Sequence, residues 1–209
     1  MDSSFLTWLF VSLGLYSGIS FFKMLIQFGL PNHPARFTCY LITLCAAVYF
    51  CGQAAVDLAL ISPFLWLKWR PLPVVAGSLS LLLQVTLLVG RFSVIQQKVI
   101  SRLPVIGGIL CFAFFPDKAD HFFGITILLG VIFLSISVGK ARYQKRLYFK
   151  MALFLGLFLG FKLVNIYWLY TVGAFFLFFA LFYFLLFEQS IAISSKIDDF
   201  KLSLEGEKK

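Results

Sequence analysis

Long apolar runs separated by short polar connections dominate the chain. Two of them, FFGITILLGVIFLSISVG and YTVGAFFLFFALFYFLLF, hold no charged residue. A helix needs roughly 20 residues, at ~1.5 Å each, to cross a hydrocarbon core of about 30 Å. The pattern gives seven apolar segments, at 4–28, 37–61, 72–90, 103–116, 121–139, 147–164 and 166–187. Between them lie PNHPAR, SPFLWLKWRP, RFSVIQQKVISR, PDKADH, KARYQKR and a tight turn at Asn165. These segments predict an all-α protein, a polytopic membrane bundle of seven transmembrane helices over residues 1–189, with an amphipathic tail at 190–209.

The fourth segment, LPVIGGILCFAFF, is short for a bilayer. Pro104 is acceptable there because a first helical turn has no use for its missing N–H, and VIQQKVISR lengthens the segment at the interface. If this segment did not cross, every later connection would change sides and KARYQKR would fall outside, so seven spans are expected. The first segment has no basic leader and no small-residue cleavage site, and reads as a retained span. An internal repeat of the inverted-transporter kind is not evident.

Composition agrees with this pattern. The chain of 209 residues is 61% hydrophobic and 13% charged, a balance that would give a soluble globule a largely apolar surface. Its net charge of +9 sits in the connections. Arg36, then Arg91, Lys98 and Arg102, then Lys140, Arg142, Lys145 and Arg146 occupy alternate ones, while PDKADH is acidic. Lys68 and Arg70 dissent. The bias places the amino terminus outside and the tail in the cytoplasm, in the cell inner membrane. Insertion topology accounts for the basic residues, so nucleic acid is not an expected partner and membrane lipids are.

Polar groups inside a membrane are costly and mark candidate sites. They are Lys23, Gln27, Gln53, Asp57, Gln84, Lys162 and Asn165. The expected orientation brings Asp57 and Lys162 into the outer third, with Gln53 one turn before Asp57 on the same helix face. Gln53, Asp57, Lys162 and Asn165 therefore form a candidate polar cluster. Two arrangements satisfy the charges: an Asp57–Lys162 ion pair, or Lys162 reaching the headgroups while Asp57 meets interfacial water.

Catalytic and cofactor templates find no match. Cys39, Cys45, Cys51 and Cys111 lie in apolar runs without a C-x-x-C, and His33 and His121 do not pair inside a span, so neither a metal nor a haem site is expected. The serine in GSLS at 77–80 has no histidine in a later span to serve as its base. Lys162 stands near the end of the penultimate segment, unlike the mid-span lysine of the last helix in retinal proteins. The chain is not expected to be an enzyme or to bind a cofactor.

The tail carries a different signal. Ile193, Ile197, Phe200 and Leu204 recur at spacings of four, three and four, which puts them on one helix face as a short heptad seam. Lys196 and Lys201 flank the seam, where a parallel homodimer would bring like charges together. The seam suits either a partner helix or the inner leaflet.

FEQSIAISSKIDDF at 187–200 resembles the junction after the last span of bacterial seven-transmembrane receptors with diverse intracellular signalling modules. LLVGRFSVIQQKVISRLPVIGGIL at 87–110 is similar to the third-to-fourth connection of that family, and VGKARYQKRLYFKMALFLG to its basic fifth-to-sixth connection. The resemblance implies a sensor whose last span passes a conformational change into a signalling helix. It carries over no catalytic or binding residue. The chain departs from the family in showing neither a ligand-binding domain before the first span nor a kinase, cyclase or phosphatase module after the last.

The expected function is thus a non-enzymatic receptor-like or accessory membrane protein. It would couple its bundle to another protein chain, or to a second copy in a homo-oligomer, through Ile193, Ile197, Phe200 and Leu204. The alternatives are a small channel, transporter or lipid-handling protein with a polar path near Asp57 and Lys162, and a structural subunit of a larger assembly.

Overall fold

The computed structural model describes residues 3–29, 34–89, 93–114, 125–132, 142–163 and 167–206, and every regular element among them is helical. In chain order these are α1 (Ser3–Phe28), α2 (Pro34–Asp57), α3 (Pro63–Trp69), α4 (Pro71–Val89), α5 (Val94–Ile100), α6 (Leu103–Phe114), α7 (125–132), α8 (Arg142–Leu163) and α9 (Tyr167–Gly206). Among the described residues, four helical stretches are long and apolar enough to cross a membrane: Phe5–Phe28, Pro34–Asp57, Pro63–Leu87 and Phe175–Asp198. The chain has the architecture of a multi-pass membrane protein. Many of its outward side chains, including Trp8, Ile26, Phe64 and Phe175, are apolar and compatible with lipid contact. PDKADH, most of the fifth expected segment outside 125–132, and Asn165 lie outside the described residues.

One connection holds helix that the apolar pattern did not mark, and a second holds the helix expected to lengthen the fourth segment. SPFLWLKWRP contains α3, which starts at Pro63 after an extended Ser62 and runs into α4 through a helical Arg70. Pro63 suits a first turn, and Arg70 N–H closes the last one on the Trp66 carbonyl at 2.7 Å. RFSVIQQKVISR contains α5, which opens on a reciprocal cap. Ser93 N–H donates to Gln96 Oε1 at 3.0 Å, and Gln96 N–H donates to Ser93 Oγ at 3.3 Å.

α2 ends differently. Leu60 N–H reaches back to the Ala55 carbonyl at 2.8 Å and Ala59 N–H to that of Val56 at 2.9 Å, with Ala59 at φ 57. This is a Schellman ending with alanine where glycine is usual.

Neighbouring helices pack in sequence order, α1 on α2, α2 on α4, α4 on α6 and α8 on α9, and α9 returns to close against α1 and α2. Leu13, Ile42, Val85, Tyr148 and Phe187 join α1, α2, α4, α8 and α9 into one core. Small residues bring α4 and α6 close: a Cβ on Gly108 would stand 3.0 Å from that of Ala76. The α8–α9 contact is aromatic. Phe154 lies parallel to Tyr183 at 5.6 Å between ring centres and 5.4 Å from Phe179, while Phe161 stacks on Phe176 at 5.5 Å.

Candidate functional site

At one end of the bundle the i, i+4 relation of Gln53 and Asp57 becomes a hydrogen bond, Gln53 Nε2 donating to Asp57 Oδ1 at 3.3 Å. Trp66 of α3 adds a third member by donating from its indole N–H to Gln53 Oε1 at 3.2 Å. Gly52 lets the indole sit against α2, since any Cβ there would overlap the Trp66 ring. Asp57 remains exposed. Lys162 belongs to the last turn of α8, but its side chain lies outside the described residues, as does Asn165. The structure therefore unites Gln53 and Asp57 and adds Trp66, a partner concealed by its position in an expected connection.

The opposite end gathers the end of α1, the starts of α2 and α8, and the later part of α9. Lys196 Nζ donates to the Gln27 carbonyl at 3.2 Å and lies 5.8 Å from the Phe28 ring centre. Gln144 Nε2 donates to Ser194 Oγ at 3.2 Å. Arg36 Nη1 donates to the Phe28 carbonyl at 2.8 Å, and Tyr40 Oη to that of Gly29 at 2.8 Å.

α9 presents two faces at this end. Ile191, Ala192 and Ser195 are buried against the bundle, whereas Ile193, Ile197 and Phe200 are 51%, 50% and 63% exposed. Ile193, Ile197 and Phe200 thus lie along one exposed strip. Leu204 continues the helix, with its side chain outside the described residues.

The most enclosed polar contact lies between these ends, on α2, α4 and α9. Glu188 and Cys39 are completely buried and Gln84 is 1% exposed. Gln84 Nε2 donates to Glu188 Oε2 at 3.1 Å and to Cys39 Sγ at 3.0 Å. The Cys39 thiol in turn lies 3.6 Å from the Glu188 carbonyl oxygen. Glu188 Oε1 and Gln84 Oε1 have no hydrogen-bond partner, and among the described residues no cation pairs with Glu188. A group of three His, Cys, Asp or Glu side chains suited to a metal ion does not occur among the described residues.

Sequence reasoning marked Gln84 but passed over Glu188, because the last apolar segment ends at Phe187 when only apolar length is counted. The signal was present. From Ile166 to Ser195 Glu188 is the one charged residue, and Ile191 and Ala192 follow it at three and four positions, so the apolar face runs past it. Comparison with protein-family models, with curated proteins and with solved structures finds no match, so the likeness of 187–200 to a receptor junction rests on those residues alone.

Proposed function

We propose that the chain is a non-enzymatic, receptor-like or accessory inner-membrane protein of seven spans, its amino terminus outside, which couples its bundle to a cytoplasmic partner through α9. The continuity of α9 carries this reading. At ~1.5 Å per residue its 40 residues extend about 60 Å, roughly twice a hydrocarbon core. One face of its later part is fixed to the bundle while the other offers Ile193, Ile197 and Phe200. A helix arranged this way conveys a shift among the spans directly to whatever covers the strip. The cover is another protein chain or a second copy.

Removing residues 190–209 is a blunt test, because Ile191 and Ala192 belong to the core. Ile197→Asp with Phe200→Asp is sharper. The double variant should insert in the membrane at wild-type levels yet lose the companion that co-purifies with the full chain in mild detergent. An unchanged complex would overturn the proposal.

A further inference from the structure

Glu188 Oε1 and Gln84 Oε1 are buried acceptors with nothing donating to them. They belong to the same contact, since the amide nitrogen of Gln84 bonds the other carboxyl oxygen of Glu188 at 3.1 Å. Buried acceptors are almost always satisfied, and a carboxylate removed from water without a compensating charge is destabilising. A trapped water would donate a hydrogen bond but would bring no charge. A small positive ion would supply both the charge and the missing partner. A single carboxylate matches a single positive charge, and two oxygen atoms suit a proton or a hard alkali-metal ion.

Among the described residues, neighbouring groups do not supply that charge. α2 offers the Cys39 thiol, and Arg36, one turn earlier, directs Nη1 to the Phe28 carbonyl. α4 contributes only the neutral Gln84 to this contact. α8 contributes the Tyr148 phenol, whose ring packs on Phe187 at 5.5 Å. On α1, Tyr16 and Lys23 are exposed, and on α9 itself Lys196 turns to Gln27 and Phe28.

We propose that Glu188 and Gln84 form an intramembrane site for a small monovalent cation, held at Glu188 Oε1 with Gln84 Oε1 as the second acceptor. A proton forms an O–H bond to the carboxylate and donates to the amide oxygen; an alkali-metal ion is ligated by both oxygens. The site stands independently of the coupling role assigned to the tail.

The test is thermal unfolding of the full-length protein in mild detergent, comparing sodium with choline chloride at equal ionic strength in acid and alkaline buffers, with infrared spectra of the carboxyl stretch. A midpoint raised by sodium identifies a metal ion. A protonated carboxyl band, with a midpoint lowered when alkali removes that band, identifies a proton. Either response must vanish in Glu188→Gln, which carries no charge to compensate. Gln84→Leu gives an independent reading by removing one acceptor while leaving the carboxylate, and should weaken the cation response about tenfold. An ionised Glu188 with a midpoint indifferent to sodium and to alkali, or a response that persists in Glu188→Gln, would overturn the proposal.

Discussion

Ala59 holds a left-handed backbone, φ 57, without being glycine. A Cβ in that region costs roughly 1–2 kcal/mol, and the Schellman hydrogen bonds of α2 keep it there. Ala59→Gly should therefore stabilise the fold by up to about 1 kcal/mol, since glycine relieves the clash but gives back some chain entropy. A rise in the thermal midpoint in detergent is the expected reading. Trp66 is the complementary case: Trp66→Phe keeps most of the ring packed on Gly52 but removes the donor to Gln53 Oε1, a loss of about 1 kcal/mol. Tryptophan emission and the unfolding midpoint check it together. The i, i+4 partnership of Gln53 and Asp57 was legible because helix geometry alone fixes it. Trp66 was not, and Glu188 was legible only through the apolar face that runs past it. Trp66 meets Gln53 only after the chain has turned, and Glu188 resembles the polar end of a span until the buried Ile191 and Ala192 beyond it are seen.

Among the elements, α8 and α9 depend on each other most visibly. Lys150 Nζ lies 5.1 Å above the Tyr183 ring, and Phe154 meets Phe176, Phe179 and Tyr183 in one ladder. Phe154→Ala should destabilise the protein by about 3 kcal/mol, while Phe154→Leu, which restores volume without the stacking, should cost less. Denaturant unfolding in mixed micelles distinguishes the two. Hydrophobic periodicity revealed the long helices because lipid selects for uninterrupted apolar length. It passed over α3, whose signal is local, Pro63 in the first turn, and marked α5 as a lengthening of the fourth segment without finding its own start at the Ser93–Gln96 cap. Lys68 and Arg70 made the α3 stretch read as a loop under a test that counts only apolar length.

For the whole molecule, the order of packing follows the order of the chain until α9 returns to α1 and α2. That closure was not readable from composition. It depends on Lys196 meeting Gln27 and Phe28 and on Glu188 meeting Cys39, contacts between residues far apart in sequence. The orientation expected from the basic connections has a direct test. A fluorescent protein joined after residue 209 should fold and fluoresce, and alkaline phosphatase at the same point should stay inactive; active phosphatase would reverse the assignment. One mechanical consequence follows from α9. Between Gly173 and Gly206 it has neither glycine nor proline to serve as a joint, so beyond Ser195, its last buried residue among those described, it extends as a lever. From Ser195 to Gly206 the arm is about 16 Å, at ~1.5 Å per residue. A tilt of about 10° at its base would therefore displace the tip by ~3 Å, as far as a change of hydrogen-bond partner requires.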